Sequence, residues 1–214
     1  SGRAQLVRLG GEPSLWLPLL GDWMRWMHMQ APGVALRVDV DTADRLIDGV
    51  QDGTLDLAIV YGIRQLPTLV VELLVAEKLV MVTSDPGGGW NAESYVHVDW
   101  GPAFAANSRA AFPELSRASV ATSFGPLAMG YIQSVGGSGY FRASAVQPLL
   151  DRRQLFRVAD APEFSHSIFA VHAARTNDEG LSLARAGLRA LVANTPGAAA
   201  GGGLVHTAPQ TSIP

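Results

Sequence analysis

The chain has 214 residues, 48% of them hydrophobic, a formal net charge of −3 and no cysteine. That length can bury one large domain or two small ones, and the lack of cysteine excludes disulfides, thiolate chemistry and zinc–sulfur sites. Lys78 is the one lysine among 16 basic residues, and a slightly acidic chain does not suit a grip on nucleic-acid phosphates.

In chain order, Leu6 to Gly10 reads as a short strand. A helical pattern begins at Ser14, with Trp16, Leu20, Trp23 and Met27 at the 3.6-residue period and Pro32-Gly33 at its end. Residues 34–40, VALRVDV, alternate like a strand. Asp41 or Thr42 caps a second helix that carries Asp44 in its first turn and Leu46, Ile47 and Val50 on one face. Gly53 stops that helix, and residues 55–60, LDLAIV, follow as a buried strand. The order β-α-β-α-β predicts a parallel sheet with right-handed crossovers.

Residues 63–68 form a polar loop, and residues 70–74 and 78–83 read as two strands joined by a short Ala-Glu link. Asp85-Pro86-Gly87-Gly88-Gly89 is the strongest breaker and marks a boundary between two units. A second βα series follows: a strand at 95–100 broken by Gly101-Pro102, a strand at 118–122, and a helix at 125–135 with Leu127, Tyr131 and Ile132 on a common face. Gly136-Gly137-Ser138-Gly139 ends that helix, Tyr140-Phe141 open a strand or turn, 145–150 is a helix or turn, and 156–159 and 167–172 are strands. Asn177 or Asp178 caps a last helix built on Leu181, Ala184, Leu188, Leu191 and Val192, and the Gly/Ala-rich tail is expected to be disordered from about residue 198. The expected fold is α/β in two Rossmann-like lobes, residues 1–84 with 174–197 and residues 85–173, facing across a cleft. No run of about 18 apolar residues predicts a membrane span, and no basic-then-apolar opening signals secretion, so a cytoplasmic setting is expected.

Pro13-Ser14-Leu15 after a strand, Pro32-Gly33, Asp41-Thr42-Ala43 with Leu46, and the G-x-L-D-L-A-I-V-Y-G run ending at Gly62 stand in a telling order. That order resembles the effector-binding domain of LysR-type transcriptional regulators over roughly residues 5–193. The resemblance is strongest at 46–62, at Glu77-Lys78-Leu79-Val80 and at 136–141. It implies a periplasmic-binding-protein-like (type 2) fold with two crossover strands and a small-molecule effector between the lobes. It also implies a homodimer or higher homo-oligomer. The winged helix-turn-helix and linker helix of such regulators are not in this sequence, so DNA contact is expected only through such an N-terminal domain. A solute-binding protein of a transport system shares fold and cleft and is the alternative. An enzyme is not expected.

Ser14 and Thr42, with Leu15 and Ala43 beside them, sit just past strands at helix starts, where free amides suit a carboxylate. Both hydroxyls are equally suited to simple capping; for Ser14 the resemblance favours the effector. Ser123-Phe124 mirror Ser14-Leu15 in the second half. Tyr61 ends its strand at the edge where open α/β sheets bind ligands. Trp100, Pro102 and Phe104 match the second-lobe segment that the family places against its effector; ordinary core packing is the alternative for Trp100. His166 precedes a crossover strand, either reaching the cleft or solvated on a loop. Trp23, Trp26 and Met27 add more apolar surface than one buried stripe needs, which marks a dimer interface unless the last helix covers them. The five histidines are scattered, Asp39 and Asp41 stand without a third ligand, and Tyr140 breaks a G-x-S-x-G reading, so no metal, cofactor or catalytic residue is expected.

Overall fold

The computed structural model describes residues 5–64, 66–174, 178–195 and the backbone of 199–200. Strand β1 (Gln5–Gly11) pairs parallel with β2 (Val34–Val40) on one side and β3 (Leu57–Val60) on the other. Helices α1 (Gly21–Gln30) and α2 (Ala43–Asp52) make the two crossovers. Strand β3 then pairs antiparallel with β9 (Phe164–Ala173), and β9 with β4 (Leu69–Thr83). This sheet is covered on one face by α1 and α6 (Glu179–Ala193) through Trp23, Met27, Leu181 and Leu188, and on the other by α2 through Leu46 and Val50. Asp178 caps α6, its carboxylate accepting from the Gly180 amide at 2.8 Å.

The helical run expected from Ser14 is interrupted. A short 3₁₀ turn (Pro13–Leu15) and an irregular turn (Trp16–Leu20) precede α1, with Leu17 extended at φ −126°, ψ 125°. Pro18 is the cause, since proline lacks an N–H and drives the preceding residue out of helical backbone.

The two strands expected at 70–74 and 78–83 are one. β4 runs 15 residues, and β9 pairs along it from Leu69↔Ala173 to Leu79↔Phe164 with a register shift between Leu73 and Val75. Ala76-Glu77, read from sequence as a link, lies opposite Ser167 and His166.

Beyond this crossing, β4 pairs with β7 (Ser138–Arg142) and β8 (Phe156–Arg157). β5 (Val96–Val98) pairs parallel with β6 (Val120–Thr122), and Tyr95 bridges to Ser138. Helices α3 (Pro102–Ala111), α4 (Gly125–Val135) and α5 (Ala143–Asp151) complete the second lobe around Val80, Val98, Ile132 and Phe141. Helix α3 was not anticipated: Gly101-Pro102 reads as a breaker, yet proline is well placed in a first helical turn. Gly137 turns the chain after α4 at φ 130°, and a Cβ there would lie 2.4 Å from the Ser94 carbonyl oxygen.

The first core ends at Val75 on β4 and Ile168 on β9; the second begins at Leu79 and Phe164. The lobes therefore exchange within these strands and not at 85–89, where the Asp85 carboxylate merely organises a turn by accepting from the amides of Gly87 and Gly89. Ala199–Ala200 (β10) pair with Ala76 and Val75 at the same crossing. Otherwise the tail expected to be disordered lies outside the described residues, as does Asn177. Among the described residues no helix is long and apolar enough to cross a membrane.

Candidate functional site

The strand ends of the first lobe and the helix starts of the second meet at Ser14. Its hydroxyl donates to the Ser123 carbonyl at 2.9 Å and accepts from the Gly125 amide at 3.0 Å, so a first-lobe side chain caps α4 of the second lobe. The Gly125 amide at the start of α4 is thereby occupied by Ser14. Tyr61 makes a second bridge, donating to the Asp99 carbonyl at 3.3 Å. Its ring lies 4.9 Å from His166 and 6.2 Å from Trp100, whose indole donates to the Tyr140 carbonyl at 2.8 Å.

These contacts leave two cavities. One, of about 580 Å³, is walled by Glu12, Thr42, Ala43, Asp44, Tyr61, Gly62, Asp99, Pro102 and Ser123, among others. Among the described residues its wall contains three carboxylates and no basic side chain. Thr42 begins α2 without a side-chain capping bond. Glu12 is buried, accepting from the amides of Tyr61 at 2.7 Å and Gly62 at 3.4 Å. Burial pushes its carboxyl up to about 7; the two amides pull it down, and Asp99 and Asp44 add to the rise. The other cavity, of about 340 Å³, lies between Leu17 and Pro18 of the first lobe and α4, α5 and Arg142 of the second.

Several expected positions fall elsewhere. Leu15 is fully buried in the first core, and Phe104 packs on Tyr140 and Phe164 in the second. Phe124 is exposed and lines neither cavity. His166 is neither on a loop nor solvated: it lies inside β9, and burial, with the charge of Arg142, lowers its pKa to about 3. Trp23 and Met27 are sealed by their own chain, the Trp23 indole donating to the Ala184 carbonyl at 3.0 Å. Trp26 packs where Gly187 leaves room, since a Cβ there would lie 2.5 Å from its ring. Trp23 and Met27 therefore present no dimer surface, whereas Trp26 is only partly buried.

Glu12, Asp99, Glu77 and Arg142 were missed. Glu12 carried one usable signal, an acid at the C-terminal end of a strand beside a helix start. Among the described residues no group of three His, Asp or Glu converges to hold a metal.

Two lobes wound separately, joined by two crossing strands and enclosing a recess at their strand ends, define the type 2 periplasmic-binding-protein-like class. Residues 1–87 match the family described as LysR substrate binding domain. The regulatory domain of HypT from Salmonella typhimurium (apo-form) superposes with a TM-score of 0.74 at 16% identity, over 89% of this chain and 97% of that one. Reduced OxyR from N. meningitidis gives 0.70 at 16% identity, over 91% and 98%. At such identities the likeness is one of fold. No curated protein matches the sequence.

Proposed function

We propose that this domain senses a small molecule in the cavity between Thr42 and Asp99, and that occupancy changes how the two lobes meet. The observation that carries this reading is the Ser14 hydroxyl, which ties the first lobe to both Ser123 and Gly125 at the floor of the recess. A ligand that favours a different lobe spacing shifts the balance between two arrangements by its difference in affinity for them. In a full-length regulator that difference passes to a DNA-binding head.

The cavity's charge argues against the carboxylate that its helix starts suggested. Glu12, Asp44 and Asp99 stand on the wall with no cation among them. Arg64, the nearest candidate, is engaged by Asp44 and Asp48. A cationic or hydrogen-bond-donating effector, such as a small amine, fits this wall. The role is non-enzymatic: the Ser14 oxygen is held in structural hydrogen bonds, and a chain without cysteine has no thiol for redox sensing. We place homo-oligomerisation on α4, whose Leu127, Tyr131 and Val135 are exposed at i, i+4 and i+8.

Calorimetry with a panel of small amines and acids tests the assignment. Amine binding weakened by about tenfold in Asp99→Asn and in Thr42→Ala supports it. Amine binding by Thr42→Ala and Asp99→Asn equal to wild type, or no saturable amine binding, would refute it.

A further inference from the structure

We infer that the cavity beside Arg142 is a second ligand site, suited to a small apolar monocarboxylate. The Arg142 side chain is 4% exposed and its Nε donates to Glu77 Oε2 at 3.0 Å. The other Glu77 oxygen accepts from the Ser144 amide at 2.7 Å, which fixes the pair against the start of α5. The far edge of the guanidinium is underused: Nη2 reaches Ser144 Oγ only at 3.5 Å, and Nη1 is buried with no partner. An unsatisfied N–H on a buried cation is costly, and a carboxylate meets two guanidinium nitrogens along one edge with matching geometry.

The surroundings narrow the class. Arg142 stands in the wall of a cavity of about 340 Å³ whose other sides are carbon-rich, supplied by Leu17, Pro18, Met129, Phe141 and Pro148. That volume is at the lower end of small-molecule sites. Among the described residues Arg142 is the only charged side chain on this wall, so one anionic group on a hydrocarbon body is matched and a dianion or polyol is not. The first turn of the nine-residue α5, with Ser144 and Ala145 on the wall, adds a dipole that favours the same anion. Leu17 and Pro18 belong to the first lobe, so an occupant here touches both lobes, with Ser14 of the interlobe bridge on the same wall. The domain would then read two ligands of opposite charge.

The test is calorimetry with cyclohexanecarboxylate and its uncharged isostere, cyclohexanecarboxamide. Wild type should bind the acid at least about tenfold more tightly than the amide. Gly130→Leu, at an α4 position where a new Cβ meets nothing within 4 Å, should fill the cavity and weaken the acid by a similar factor without disturbing the ion pair. The paired variant Glu77→Gln/Arg142→Gln should remove the preference for acid over amide. Thr42→Ala, in the other cavity, should leave acid binding unchanged. Equal binding of acid and amide, no saturable binding below about 10 mM, or loss in Thr42→Ala with retention in Gly130→Leu would each overturn the assignment. None of these results bears on the amine test of the acidic cavity.

Discussion

Glu12 is a buried carboxylate whose proton is favoured by folding. Its ordinary value of 4.5 rises to about 7, so the folded state binds more protons than the unfolded chain between those limits. Its contribution to stability is complete below 4.5 and is lost as pH climbs through 7. His166 acts oppositely: with a folded value of about 3 against 6.5, its contribution is present above 6.5 and lost on acidification. The two slopes largely cancel between pH 4.5 and 6.5, and a single variant exposes them. Urea unfolding should show the stability of wild type minus that of Glu12→Gln falling by about 1.4 kcal/mol per pH unit from 4.5 to 7; a flat difference would mean that Glu12 titrates normally. At this scale the sequence revealed helix starts and little else. Ser14 and Thr42 were legible as positions at helix starts, but the bonds of Ser14 reach α4 of the other lobe and Thr42 makes no side-chain cap. Arg142 and Glu77 were not, because their burial comes from partners 65 residues apart in the chain.

Among the elements, α1 and α6 hold the first lobe closed by a fit of large against small. Trp26 lies against Gly187, so Gly187→Ala should destabilise by about 1–3 kcal/mol despite alanine's better helix propensity. Restoration of the melting temperature by adding Trp26→Leu would identify the ring as the cause, and an unchanged or raised value in the single variant would contradict the packing. Helix α4 is different in kind, with Leu127 62% and Val135 66% exposed. Leu127→Glu/Val135→Glu should lower the sedimenting mass to that of a monomer while changing stability by no more than about 0.5 kcal/mol per site. The sequence marked α4 accurately because its apolar stripe and flanking glycines are local signals. On α1 an excess of tryptophan and methionine looks alike whether it faces a partner or the chain's own last helix, which here holds Trp23.

For the molecule as a whole, two cores meet across crossing strands and a serine bridge. Ser14→Ala removes both bonds at once and leaves the Gly125 amide and Ser123 carbonyl to find other partners. A loss of about 1–3 kcal/mol should follow, with a larger radius of gyration by small-angle scattering. An unchanged radius would show that the bridge does not set the lobe spacing. The βα alternation predicted the two-lobed plan, since that signal repeats along the whole chain. The continuity of β4 through the crossing escaped notice because Ala76-Glu77 look like a link, whereas Glu77 is buried and both residues stay paired to β9.

A consequence follows from the pairing of β4 and β9 through the crossing. With Ala76 opposite Ser167 and Glu77 opposite His166, the joint between the halves is a hydrogen-bonded ribbon, not a floppy linker. Bending it abruptly would sacrifice ladder bonds; twisting it spreads the strain over many residues. Effector response should therefore be a modest screw-like rotation of one half upon the other, reversible and without any peptide leaving its partner.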